Sequence, residues 1–279
     1  MMAAQGLMVR LGRCIRFEVR KLGTRPMGWL SLGIIIVATL LIAWLKTASD
    51  DAPTSFVLLT SILKDVLPIG AFILLMLGTL SVNDEAASGA LRSIAMSAVG
   101  RTEIILAKAL VLATFGLLAM IIQILIAYVW VQAHAPLADV SILIEGFDPD
   151  LKFTQAEMMD HTTKLIVLML PAILSAPIMG LLLSLLVAAP GTSVAVSVFV
   201  FGGMQLIGTA FDATHCVLFP ATIDHLLNLL GELSEGIETN VDVVTQLNSF
   251  SDIFWIPAVI LITLFVASLA LFNVREIKC

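Results

Sequence analysis

The sequence predicts an all-α polytopic membrane protein with six transmembrane helices, and three observations predict it. Of 279 residues, 59% are hydrophobic and 13% charged, against roughly 45–50% and 25% in soluble domains. Several apolar runs reach the ~18 residues at which a transmembrane helix becomes the leading reading. The runs are spread evenly, so the chain divides into a leading segment, 1–27, and one membrane domain, 28–279.

The leading segment reads as an amphipathic helix from Gly6 to Arg25. At 100° per residue, Met8, Leu11, Ile15, Val19 and Leu22 share an arc of roughly 80°, and Arg10, Arg13, Arg16, Arg20 and Lys21 one of roughly 140°. Such a helix lies flat on an anionic membrane surface; the blander alternative is a solvated basic flank before a first span. Pro26, which cannot continue the hydrogen-bond ladder, turns the chain after Arg25 into the bilayer. A cleaved signal sequence, with Thr47-Ala48-Ser49 after the apolar run, is the alternative, against which stand the length of that run and the size of the basic helix before it.

The first span covers about 28–45, bracketed by Trp29 and Trp44 as interfacial rings. The second covers 66–82, after Lys64 and Asp65, and the third 104–131, with Tyr128 and Trp130 as its outer aromatic belt. Lys108, one turn inside the third, has a stem long enough to snorkel to the headgroups. Residues 132–163 form an acidic outer loop with some helix, for which Thr154 and Glu157 offer a capping box. The fourth span, 164–189, carries Pro171 and Pro177 as expected kinks. The fifth, 193–211, has a small-residue face of Ser197, Gly202, Gly203 and Gly208. Residues 212–252 are polar with an apolar interlude too interrupted to span, and read as an outer re-entrant or interfacial hairpin. The sixth span covers 253–272.

Six spans put both termini on one side. Arg10, Arg13, Arg16, Arg20, Lys21, Arg25, Arg92, Arg101, Lys108, Arg275 and Lys278 lie there, against Lys46, Lys64, Lys152 and Lys164 opposite. The positive-inside rule therefore makes the termini cytoplasmic and places the chain in the cell (inner or plasma) membrane. Most acidic residues lie outside, so the net charge of −6 describes neither face, and no nucleic-acid tract remains.

Chemistry is sparse. There is no GxxxxGK[ST] phosphate loop, no GxSxG elbow and no HExxH helix. Cys14, Cys216 and Cys279 are far apart and form no CxxC pair. Asp212, His215, Cys216, Asp224 and His225 match no common metal spacing and read as loop residues. Gln123 and Gln205, alone in apolar spans, read as interhelical glue, and twelve methionines as core filler.

The inner loop from Asn83 to Lys108 stands apart. Asn83 or Asp84 can cap its start, Gly89 permits a break, and residues 90–98 read as a short helix with Leu91, Ile94 and Ala98 on one face and Arg92 on another. Gly100 ends it before Arg101 and Glu103 begin the next helix. A short helix across a helix hairpin at the membrane surface is a lever on both spans.

These residues carry a resemblance. Glu85, the run Gly89-Ala90-Leu91-Arg92, Ala98-Val99-Gly100-Arg101, Glu103-Ile104 and Lys108 are similar to the loop after the second span in membrane subunits of type-2 ATP-binding-cassette (ABC-2 type) transporters. Ala90, Ala98 and Gly100 replace the usual threonine, proline and serine. The resemblance implies that the leading helix is an elbow helix and that 90–98 is a coupling helix docking on a separate cytoplasmic ATPase. Asp84, Glu85, Arg92 and Arg101 would meet that partner. It further implies a non-catalytic exporter permease, paired with an identical or homologous permease and two ATPases that supply ATP and Mg, in contact with membrane lipid. A variant that the resemblance also allows is a dimer that transmits ATPase-driven force to an extracytoplasmic partner through the acidic outer segments 132–163 and 212–252; the alternative from the residues is an intramembrane enzyme using the outer Asp and His residues.

Overall fold

The computed structural model describes residues 2–48, 55–87, 100–135, 137, 139–141, 152–187, 189–210, 218–235 and 250–274. Among these are eight helices: α1 (Met2–Thr24), α2 (Pro26–Ala48), α3 (Ser55–Ala87), α4 (Arg101–His134), α5 (Gln155–Leu186), α6 (Pro190–Ala210), α7 (Phe219–Glu235) and α8 (Phe250–Val274). One two-residue antiparallel pairing sets Val140 opposite Phe153. Six helices, α2 to α6 and α8, are long and apolar enough to cross a membrane, as the sequence predicts. The side holding α1 and the ends of α3 and α4 at Ala87 and Arg101 is the near side, and α7 lies on the far side.

Two helices form the spine. In their most apolar windows α3 is 56% and α5 67% buried, against 22% for α2, 17% for α6 and 11% for α8. The peripheral helices expose large apolar groups such as Trp29, Phe199, Leu206 and Trp255, as suits helices bathed in lipid. What brings α3 and α5 together is a reciprocal glycine crossing. A Cβ on Gly78 would overlap the Pro177 carbonyl oxygen, and one on Gly180 the Leu75 carbonyl oxygen. Where lipid removes the hydrophobic drive between helices, such close backbone approach supplies the packing. Pro171 and Pro177 sit inside α5, which runs on without a break.

Gln123 performs the predicted interhelical role: its Nε2 donates to the Val66 carbonyl at 3.0 Å, and the space it uses is the one a Cβ on Gly70 would fill. The predicted small-residue face of α6 divides. Ser197 is buried and Gly208 lies beneath Ala221, whose Cβ would be 2.5 Å from an added Cβ, while Gly202 and Gly203 face open space.

On the far side two helices extend beyond the expected spans: α3 begins at Ser55, ahead of the span start at Val66, and α5 begins at Gln155, at the expected Thr154 cap and ahead of the span start at Lys164. Lys46 near the end of α2 pairs with Asp65 at 2.9 Å, so the first turns of α3 reach roughly 10–15 Å past that level at 1.5 Å per residue. A helix need not stop where its most apolar run does. Phe56, Leu59 and Leu63 of this extension share one buried core with Met158 and Leu165 of α5 and Ile223, Leu226 and Leu230 of α7. The region expected as a hairpin thus contributes a single described helix, α7, lying on the far-side extension; 211–217 and 236–249 lie outside the described residues. The capping box forms at the start of α5. The Thr154 hydroxyl accepts from the Glu157 N–H at 3.3 Å, and the Glu157 carboxylate from the Thr154 N–H at 2.9 Å.

Candidate functional site

The near-side ends of α3 and α4 flank the loop that the sequence singles out, and α1 lies against both. Residues 88–99, with Gly89, Ala90, Leu91, Arg92, Ile94 and Ala98, lie outside the described residues; Asp84, Glu85, Arg101, Glu103 and Lys108 are within them. Asn83 and Asp84 are not loop caps, because α3 continues to Ala87. Gly100 does start α4: its N–H donates to the Glu103 carboxylate at 3.1 Å, and a glycine contributes only its backbone to that cap.

At the centre of the site is Lys108. Its Nζ lies 2.6 Å from Glu85 Oε1 and 2.8 Å from Glu18 Oε1, and its side chain is 1% exposed. It does not snorkel outward, because two carboxylates from α1 and α3 reach it first and an ammonium leaves water only for such partners. Lys21 of α1 also bonds Glu85 and lies 3.7 Å from Glu18 Oε2. Burial, then the positive charge of Lys108, pull the Lys21 amine down from 10.5 to about 7, with Glu18 opposing.

Two further pairs extend the cluster along α1. Arg10 Nε is 3.3 Å from Glu103 Oε1, and Arg25 Nη1 is 3.9 Å from Asp84 Oδ2. Arg10, Glu18, Lys21 and Arg25 thus form one stripe of α1 turned toward α3 and α4, which brings matching numbers of acids and bases together. The basic face expected of α1 is therefore split. Arg10, Lys21 and Arg25 are engaged, whereas Arg13, Arg16 and Arg20 are exposed and make no ion pair among the described residues. Arg101, also exposed, points its guanidinium at the Asn273 carbonyl of α8 at 3.5 Å.

A second set of polar contacts ties the end of α3 to α6. Asn83 Nδ2 donates to Ser193 Oγ at 2.8 Å, and Thr79 shares a 2.8 Å hydrogen bond with Ser197. Thr79 and Asn83, like Ser193 and Ser197, are four residues apart and so share one helix face. That spacing was readable from sequence, whereas the role of Glu18 was not, since a lone acid in a basic helix looks like surface charge. Of the outer residues considered for chemistry, Asp224 and His225 lie on α7; Asp212, His215 and Cys216 lie outside the described residues. Glu18, Lys21, Arg25, Asp84 and Lys108 line one small cavity, and their ion pairs can hold α1, α3 and α4 in register.

Residues 14–148 match the model of a family described as ABC-2 family transporter protein. The match runs from within α1 through α4 and takes in Glu18, Lys21, Arg25, Asp84, Glu85, Glu103 and Lys108. No curated protein matches the chain.

Proposed function

We propose that this chain, an ABC-2 type permease over residues 14–148, is a multi-pass membrane transport subunit that exports cargo as a dimer, powered by two cytoplasmic ATPases carrying ATP and Mg. The observation that carries the reading is the ion cluster. Both flanks of segment 88–99 are fastened to α1, at Asp84 and Glu85 on one side and at Glu103 and Lys108 on the other. A push on the coupling segment then moves α1, α3 and α4 as one body, and α3 carries the displacement to α5 through the glycine crossing. On this reading Asp84, Glu85, Glu103 and Lys108 hold the lever in place, while Arg92, Arg101 and the 90–98 helix meet the ATPase on the cytoplasmic side.

The test is ATP hydrolysis by the permease–ATPase complex reconstituted in membranes. Replacing Arg92 and Arg101 together by alanine is expected to lower permease-dependent stimulation about tenfold or more, as for loss of charge-assisted hydrogen bonds worth about 1.5–3 kcal/mol, with the permease's thermal stability unchanged. Unaltered stimulation overturns the assignment. A dimer that passes force to an extracytoplasmic partner is favoured by the far-side cap of α7 on the extensions of α3 and α5. Co-purification of such a partner through α7 would select that reading.

A further inference from the structure

We propose that the groove between α1, α2 and α4 holds an acyl chain of an anionic phospholipid whose phosphate is gripped by Arg16 and Arg20. The groove has a volume of about 580 Å³ and is walled by Val19, Leu22, Trp29, Leu32, Leu110 and Thr114, among others. That volume lies within the roughly 300–1,000 Å³ of ligand clefts. Thr114, its one side-chain hydroxyl, is occupied by the Leu110 carbonyl at 2.8 Å, so nothing in the walls asks for a polar occupant. Two of the three walls belong to helices long and apolar enough to span a membrane, which places the space where lipid chains are the solvent.

Charge chooses the headgroup. Ile15 and Val19 line the groove, and Arg16 and Arg20 follow them directly on the adjoining stripe of α1. Both arginines are exposed and make no ion pair among the described residues, in contrast to Arg10, Lys21 and Arg25. A cationic pair at the rim of an apolar groove fits a phosphate attached to a chain, and Trp29, its indole N–H held by the Gly23 carbonyl at 2.7 Å, fixes the corner where the two meet. A second copy of this chain is a poorer occupant. The described near-side carboxylates, Glu18, Asp84, Glu85 and Glu103, are already paired within the chain and have little to offer Arg16 and Arg20.

Trp29 lies in the groove and reports on it. The full-length protein is reconstituted in phosphatidylcholine vesicles doped with phosphatidylglycerol brominated on its acyl chain, or with phosphatidylcholine brominated in the same way. Quenching of Trp29 is read as the difference between the native chain and Trp29→Phe. Brominated phosphatidylglycerol is expected to quench Trp29 several-fold more effectively. Arg16→Gln and Arg20→Gln should each lower that preference up to about fivefold, the contribution of one cation near an anionic headgroup. Thr114→Phe, which fills the groove and leaves the arginines alone, should reduce quenching by the anionic lipid, separating a chain in the groove from lipid attracted to the surface. Equal quenching by the two lipids, a preference that survives both arginine substitutions, or indifference to Thr114→Phe overturns the proposal. Protection from both lipids, the result of a second protomer covering the groove, also overturns it.

Discussion

Two junctions on the near half of α3 hold it by opposite means. At Gly78 and Gly180 the backbones of α3 and α5 touch with no side chain between them. Less than two turns further on, at Asp84 and Glu85, the same helix is held to α1 and α4 by ion pairs. The first junction tolerates no added atom, because close-packed backbone has nowhere to go. The second is built from long side chains that can re-aim, and its strength depends on every charge having its partner. On the proposed function, a permease that passes on a displacement has use for both: a rigid crossing to carry motion, and an ionic joint to gather three helices behind one push.

The contrast breaks most sharply at the crossing. Gly180→Leu would set a side chain against the Leu75 carbonyl oxygen and 2.8 Å from the Thr79 nitrogen. The expected cost exceeds the roughly 1–3 kcal/mol of ordinary overpacking, since the obstacle is backbone. Size-exclusion chromatography in detergent should show loss of the monodisperse protein. Gly202→Leu, which adds the same atoms where nothing lies within 4 Å, should leave the profile unchanged.

At the ionic joint the sign of the effect depends on how many partners are removed. Glu85→Leu alone leaves Lys108 buried with Glu18 as its remaining carboxylate, and is expected to destabilise by about 3–5 kcal/mol, the cost of breaking a buried pair from one side. Adding Lys108→Met removes the stranded charge, and the double variant should regain most of the lost stability in thermal unfolding. If the joint served only stability, the rescued protein would also stimulate its ATPase normally. On the proposed function it stays uncoupled, because α1 no longer follows the lever.

The difference between the junctions also explains what the sequence discloses. The six spans, the cap at Thr154 and the glue at Gln123 follow from apolar run length, local capping chemistry and a lone polar group in an apolar span. Each of these is decided within one helix. The spans read from Val66 and Lys164 lie inside longer helices, because hydropathy marks the most apolar run, while Phe56, Leu59 and Leu63 continue α3 into a protein core made with α7 and the Thr154 cap already marks where α5 begins. Gly78 and Gly180 are ordinary glycines until α3 and α5 are brought face to face. Glu18 likewise gains meaning only when Lys108, distant in the chain, closes on it at 2.8 Å. The candidate site was half legible: its flanking residues stand in the loop motif, but their partner is α1.

A change of pH acts on Lys21, the most exposed of the three groups around Glu85, and tests whether the joint is tuned by protonation. Burial and the neighbouring Lys108 charge lower its amine from 10.5 to about 7. Between those values the unfolded chain keeps this proton while the folded chain sheds it, so the folded state binds fewer protons and its stability rises with pH. Below about 7 the amine is charged in both states, and the contribution no longer changes. Thermal unfolding of the native chain, measured against Lys21→Met over this window, should therefore show a midpoint rising with pH in the native chain relative to the variant. A difference that stays flat would mean that Lys21 keeps its proton throughout. The cluster would then be a fixed set of ion pairs, as unresponsive to its surroundings as the glycine crossing beside it.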